Sequence, residues 1–325
     1  MLLEELDSID RDILSELDQN ARQSVAEIAG RLGLGRERVS YRMRKLEDRG
    51  VLRRYTASLN PYKFGLVVHK TFIQLENNKS RVKKFLEYLE RHQRVYWYAE
   101  CAGSWDLMFA TFGENPKDFH QTHGKILSKF SDIIISFSVY TIVEAMFFRR
   151  SYLRGVGTDF FTFGGTPDTL ELSLFDYELL RLLTENCRLT SSELADTLNV
   201  SPAVVRYHIK RLEDDQVISG YRIDLDLPLL GINHFKAQLH LRNYDIKAEE
   251  DLREYCKMNP HVILLVQQIG DCMVEVEFET YTYQQYNEFI EEMREHFSKY
   301  IRRVDSIVIR KEKYKWMAFE AIRSH

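Results

Sequence analysis

Residues Leu6 to Gly65 recur as Leu172 to Gly231 at a constant offset of 166 positions, with no gap. Eighteen of the sixty aligned positions are identical, among them Asp10/Asp176, Leu14/Leu180, Asn20/Asn186, Arg22/Arg188, Tyr41/Tyr207, Tyr55/Tyr221 and Gly65/Gly231. Agreement at fixed register is the mark of duplication, not of shared composition. The match continues more weakly, with Gly103 against Gly270 and Phe130 against Phe297 after one inserted residue. Such a chain must fold as two similar units, and a face that one unit leaves bare the other can cover. Residues 154–170 join the copies; their glycines and Pro167 mark loop, and their phenylalanines suggest that they lie against protein.

In the first copy Ile9, Ile13, Leu14 and Leu17 have helical spacing. Ser24 and Glu27 form the S-x-x-E signal that opens a second helix, which runs to Leu32. Gly33-Leu34-Gly35 makes a tight turn, and a third helix from Arg36 to about Arg49 buries Val39, Met43 and Leu46. Arg53 to Leu59 then alternates like a strand of a small wing. Two short helices across a tight turn, the second crowded with cations, form the helix-turn-helix pattern. Such a helix fits the major groove, and the flanking phosphates reward positive charge. The candidates for DNA contact are Arg36, Arg38, Ser40, Tyr41, Arg42, Arg44 and Lys45, with Arg53 and Arg54 on the wing. Arg36 and Arg42 flank the buried stripe and suit phosphate better than bases.

The second copy keeps the scaffold, with Ser201 as N-cap, Pro202 in the first turn, and Val205, Ile209 and Leu212 as the stripe. Its outward candidates are Arg206, Tyr207, Lys210 and Arg211. The charge differs. Residues 21–60 hold 10 basic and 4 acidic residues, whereas 187–226 hold 5 and 7. The chain's net charge of −4 hides this asymmetry, and local charge governs phosphate contact. DNA affinity is therefore expected mainly from the first copy.

After each such region the pattern reads strand, helix, strand, strand, helix, strand. In the first copy the segments are Val67–Glu76, Lys79–His92, Val95–Ala102, Trp105–Phe109, Pro116–Lys129 and Ile133–Ala145. This is a βαββαβ ferredoxin-like sandwich, and the fold class is α+β. The expected domains are 1–60 (winged helix-turn-helix), 61–153 (ferredoxin-like), 154–170 (linker), 171–226 (second winged helix-turn-helix) and 227–325 (second ferredoxin-like). A sheet with helices on one face must cover the other. That face is expected to hold some of Phe72, Tyr96, Tyr98, Phe109 and Phe137. The duplicated domain is the expected cover, as an intrachain pseudo-dimer, a homo-oligomer, or both.

The residues Leu6-Asp7-x-x-Asp10, Ala26-Glu27-Ile28-Ala29, Val39-x-x-Arg42-Met43-x-x-Leu46-Glu47-x-x-Gly50-Val51-Leu52 and Gly103-Ser104-Trp105-Asp106-Leu107 together resemble the Lrp/AsnC family. The resemblance covers each half almost completely. It implies a sequence-specific regulator of transcription that binds double-stranded DNA, with sensor domains of the RAM or ACT-like type. It also implies an amino-acid or other small-molecule effector near the glycine turn between the second and third sensor strands. By that resemblance Gly103 and Asp106 are effector-site candidates, with Gly270 and Asp271 as counterparts; Asp106 itself aligns with Met273. A hairpin turn with a solvated aspartate is the plainer reading. Family members are usually single units, so the fused layout is a departure.

Some two-unit proteins similar to this family are sirohaem decarboxylases, which implies an enzyme reading with His69, His234 and His240 on strands. The stretch around Gly103 is of the regulator type, and a basic recognition helix would lack purpose there. No phosphate loop, nucleophile elbow or metal-ligand cluster appears, so neither catalysis nor a cofactor is expected. The cysteines Cys101, Cys187, Cys256 and Cys272 stand alone and are expected to be reduced core residues. His120 and His123 lie three apart without a completing ligand, and a surface helix is expected there. The acidic N-terminus lacks a signal peptide's pattern and no apolar run reaches membrane-spanning length, so the expected location is cytoplasmic, with no membrane partner.

Overall fold

The computed structural model describes residues 5–155, 160–242 and 246–315. The first four residues and the linker's Val156–Asp159 therefore lie outside the described residues. Each half opens with three helices: α1 (Ser8–Gln19), α2 (Val25–Leu32) and α3 (Arg36–Asp48), and then α6 (Leu174–Glu185), α7 (Ser191–Leu198) and α8 (Pro202–Asp214). A strand follows each trio, β1 (Leu52–Leu59) and β7 (Ile218–Leu225). Sensor unit one contains β2 (Val67–Leu75), α4 (Lys79–Arg91), β3 (Val95–Gly103), β4 (Leu107–Gly113), α5 (Pro116–Lys129) and β5 (Ile134–Phe148). The linker contributes β6 (Phe160–Gly164), a strand where a plain loop is expected from the glycines. Sensor unit two contains β8 (Asn233–Leu241), α9 (Ile246–Met258), β9 (Val262–Ile269), β10 (Val274–Thr280), α10 (Tyr283–His296) and β11 (Ile301–Tyr314).

The wing strands do not fold back on their own halves. β1 pairs antiparallel with β7, with Leu52 opposite Leu225 and Leu59 opposite Ile218, a register that is its own mirror under the 166-residue offset. Matching bonds flank this ribbon. Ala21 N–H reaches Tyr221 O at 3.3 Å and Cys187 N–H reaches Tyr55 O at 3.1 Å; Asn60 N–H reaches Val217 O and Asp226 N–H reaches Val51 O, both at 3.0 Å. The two halves therefore pair within one chain about a pseudo-twofold axis through the ribbon.

The sensor strands form a closed antiparallel ring in the order β2-β4-β3-β11-β8-β10-β9-β5, with β5 returning to β2 and β6 added to β5. Closure rests on the two long strands. β5 pairs with β2 of its own unit and then with β9 of the other, while β11 pairs with β8 and then with β3. A closed ring leaves few bare strand edges. The four sensor helices lie outside it, over Phe85, Phe109 and Phe130 in one unit and Phe278, Tyr286 and Met293 in the other. Phe72 faces the interior and Tyr96 stacks on Phe112, but Tyr98 and Phe109 sit under helices and Phe137 is exposed.

The interior is asymmetric. Unit one presents Val68, Phe72, Met108, Ala110 and Phe112 around a single cation, Lys70. Unit two presents His234, Lys236 and Gln238 on β8 and Glu275, Glu277 and Glu279 on β10, all buried. Buried charge survives only when paired. Glu275 accepts from both Lys70 and Lys236 (the latter at 2.9 Å), Lys236 reaches Glu277 at 2.6 Å, and His234 Nε2 lies 3.0 Å from Glu277. Arg150 bonds Glu279 at 2.8 Å and Asp18 at 2.6 Å, tying the interior to α1. Burial works against the His234 imidazolium, but Glu277 and Glu312 overcome it and lift its pKa to about 10. Burial and the neighbouring Lys236 push Lys70 down to about 8, against the pull of Glu275.

Candidate nucleic-acid interface

Local chemistry sets up both helix-turn-helix units. Ser24 Oγ accepts from Glu27 N–H at 3.2 Å while Glu27 accepts from Ser24 N–H at 2.8 Å; Thr190 and Glu193 repeat the box. The turn before each recognition helix needs a left-handed residue, Gly33 (φ +64°) in one copy and Asn199 (φ +55°) in the other, residue types that adopt that region readily. Val39, Met43 and Leu46 fix the buried side of α3, and Val205, Ile209 and Leu212 that of α8.

On α3 the side chains of Arg36, Arg38, Tyr41, Arg44 and Lys45 are exposed, and Ser40 is half-buried at the edge. Tyr41 keeps 59% of its surface in solvent. None of those four cations forms an ion pair among the described residues. Arg42 departs from the expectation of phosphate contact. It lies 2.7 Å from Asp7 and 3.1 Å from the buried Asp10, so its charge serves to lock α3 onto α1. The second copy repeats this lock with His208, 2.7 Å from the buried Asp176. Burial opposes ionisation of Asp176, but bonds from Ser173, His208 and Arg211 hold its carboxyl below the usual range. Arg53 is paired with Asp226 at the ribbon's end, and Arg54 is exposed beside it. Both line a groove between ribbon and barrel instead of a projecting wing tip.

On α8 Arg206 and Tyr207 are exposed; Tyr207 matches the exposed Tyr41, while Arg206 stands in the place of the half-buried Ser40. Lys210 pairs with Asp214 at 3.1 Å and Arg211 with Asp176 at 2.6 Å. Its cations are thus fewer and partly neutralised.

Two functional-grade positions escape a search for cationic faces. Arg22 donates to Cys187 O at 2.5 Å and Leu189 O at 3.1 Å, while Arg188 donates to Ala21 O at 2.9 Å and Gln23 O at 2.7 Å. Each arginine also lies over the other half's tyrosine, Arg22 over Tyr221 and Arg188 over Tyr55. These reciprocal bonds fix one reading head against the other. The signal was present, since Asn20, Arg22 and Tyr55 are identical in both copies.

Around the proposed effector turns, Gly103 has φ +112° and a Cβ there would lie 2.5 Å from Ser306 O. Asp106 accepts from Leu75 N–H at 2.8 Å, so one carboxylate oxygen anchors the β2 end. Beside it lies a cavity of about 570 Å³ lined by Glu76, Asn78, Lys79, Glu100, Asp106 and Arg310. Gly270 abuts the Tyr140 ring, and exposed Asp271 accepts from the Tyr140 hydroxyl.

The strand histidines occupy separate settings. His69 stacks on Phe119 and bonds Thr141 at 2.9 Å, and burial lowers its pKa to about 4. His234 belongs to the interior ion network, and His240 bonds Asp305 at 2.9 Å. His123 is not on a surface, as expected, but buried against Phe119, with its pKa likewise lowered by burial to about 4. All four cysteines are buried thiols. Among the described residues there is no cluster of metal-ligand type and no helix long and apolar enough to cross a membrane.

The family described as winged helix-turn-helix DNA-binding matches twice, at residues 6–53 and 172–219. The proline dehydrogenase transcriptional activator of Rhodobacter capsulatus is 30% identical over 149 residues, covering 45% of this chain and 96% of that protein. The leucine-responsive regulatory protein of Klebsiella pneumoniae is 32% identical over 110 residues, covering 33% of this chain and 66% of that protein. Among solved structures, the siroheme decarboxylase NirDL superposes with a TM-score of 0.63 at 11% identity, covering 98% of this chain and 99% of that one. At that identity the likeness is one of fold alone, over almost the whole of both chains. The chain belongs to the Lrp/AsnC family of winged helix-turn-helix transcriptional regulators, with the family's unit present twice.

Proposed function

We propose that the protein binds duplex DNA in a sequence-specific manner, chiefly through α3, while the second half completes and orients the reading head. The observation that carries this is the contrast between the recognition helices. Arg36, Arg38, Arg44 and Lys45 stand exposed with Tyr41 among them, whereas Lys210 and Arg211 are engaged by Asp214 and Asp176. Phosphate neutralisation supplies much of DNA affinity, and arginines on the outward face of a major-groove helix supply specificity. Immunoprecipitation of the protein with its bound genomic DNA tests the reading. A recurrent half-site should emerge, stronger on one side than the other; the absence of any enriched motif would overturn it.

The cavity beside Asp106 supports amino-acid sensing in the first unit. Asp106 and Glu100 offer carboxylates to an α-amino group, and Lys79 and Arg310 offer cations to a carboxylate. In the second unit Met273 stands in the place of Asp106, which favours one sensing half. Catalysis forms no part of this reading. The three strand histidines are each engaged by a different set of partners. A tetrapyrrole absorption band on the purified protein, with turnover of that pigment, would contradict it.

A further inference from the structure

The long strands β5 and β11 both run beyond the first strand of their own unit. Past that point β5 keeps a second partner on that side. Linker strand β6 pairs with it from Glu144↔Gly164 to Phe148↔Phe160. The seat is specific. The Asn60 side chain both donates to Gly164 O (3.3 Å) and accepts from Gly164 N–H (3.1 Å). Phe161 stacks on Phe147 at 5.0 Å and fits only because Gly220 faces it, where a Cβ would come within 3.0 Å of the ring. The groove between ribbon and barrel is thus filled, on this side, by an extended segment.

Among the described residues the pseudo-equivalent groove beside β11 is open, with a volume of about 870 Å³. Among the described residues, Lys311–Lys313 pair with β3 alone. Where Ser219 and Gly220 line the filled groove, Arg53 and Arg54 line the open one, and Arg310 and Lys311 border it as well. Asp226 replaces the Asn60 clamp and is held by Arg53.

We propose that this groove binds an extended, acidic polypeptide segment of a partner protein, added to β11 as a further strand. An open strand edge offers alternating N–H and C=O groups, which another peptide backbone satisfies. A DNA backbone supplies acceptors only, so it leaves the carbonyls of β11 without donors. The twin groove shows that a segment of about five residues fits this space as a strand. The exchange of Ser219 and Gly220 for Arg53 and Arg54 removes the room for an aromatic ring; Arg53 is held by Asp226, and Arg54, which has no ion pair among the described residues, rewards a carboxylate through a charge-assisted bond.

The test uses the full chain and a fluorescent peptide carrying linker residues 160–168 with Phe161→Glu and Phe163→Glu. Anisotropy should show saturable binding of one peptide per chain. Arg54→Glu and, separately, Lys311→Glu should each raise the dissociation constant about tenfold or more, as expected for reversing a charge that faces the ligand. The two variants are checked by thermal melting, so that one misfolded variant does not decide the matter. Hydrogen exchange should show amides within 310–313 that are open without peptide and protected with it. Three results would overturn the proposal. The peptide fails to bind; those amides are already protected, which means the chain's own residues fill the groove; or duplex DNA displaces the peptide mole for mole, which makes the groove a nucleic-acid surface.

Discussion

Replacing Arg22 by alanine removes two bonds from one guanidinium, to Cys187 O and Leu189 O, and a cation lying over Tyr221. Bonds from a charged donor contribute about 1.5–3 kcal/mol each. Arg22 is only half-buried, so water can recover part of that for the freed carbonyls. A net loss of about 2–4 kcal/mol follows. For a protein of this size that corresponds to a fall in Tm of about 3–6 °C if unfolding is cooperative. Arg22→Lys should recover less than half, because a lysine cannot fork to two carbonyls. The assay is urea unfolding followed by circular dichroism, run alongside hydrogen exchange of residues 186–190. Those amides should exchange faster in the variant even where global stability is restored by a ligand. The Arg22→Ala/Arg188→Ala pair should be non-additive, since each arginine grips the loop that carries the other. A loss under about 0.5 kcal/mol for Arg22→Ala, with unchanged exchange at 186–190, would refute the view that these reciprocal bonds hold the two heads together.

Other consequences follow from particular residues. Gly103→Ala should destabilise by about 3 kcal/mol or more, because the backbone is left-handed and Ser306 O blocks the Cβ; a melt within a degree or two of wild type would show the turn to be relaxed. His234 has a raised folded pKa of about 10, so its contribution is fully present below pH about 6.5 and is lost as pH rises toward 10. The stability gap between wild type and His234→Gln should therefore narrow across that window, and a gap independent of pH would place a neutral imidazole there. Asp176 has the opposite sign. Its carboxyl is held below the ordinary value, so the lock between α6 and α8 should weaken as pH falls below about 4, an effect that Asp176→Asn should abolish.

The chain's period and local signals were enough to reveal the helix-turn-helix units and the two βαββαβ patterns. Capping pairs such as Ser24/Glu27 and the stripe Val39, Met43, Leu46 act within a few residues. The pairing of β1 with β7 was not legible, because an alternating strand does not encode which strand it meets. β10 shows the same limit. Its alternation of Val274, Val276 and Phe278 with Glu275, Glu277 and Glu279 reads as one wet face and one dry face, yet both are buried. The wet-looking face is covered because Lys70, Lys236 and His234 arrive from other strands, and Arg150 from just beyond the end of β5, to pair with it. Likewise Arg42 counts as a DNA contact on a helical wheel until Asp7 and Asp10 are brought beside it. Charge on a helix face shows what could reach phosphate, and only the fold shows which charges are already engaged.

The central claim is that the scaffold is duplicated while DNA reading is concentrated in the first copy. A titration of a fixed duplex site at constant salt, comparing Arg38→Ala/Arg44→Ala with Arg206→Ala/Lys210→Ala, tests it most directly. The first pair should lose about 2–6 kcal/mol of binding, from about 1–3 kcal/mol per arginine, with a shallower salt slope. The second pair should lose under about 1 kcal/mol. Equal losses from the two pairs would contradict the account and make the two heads equivalent readers.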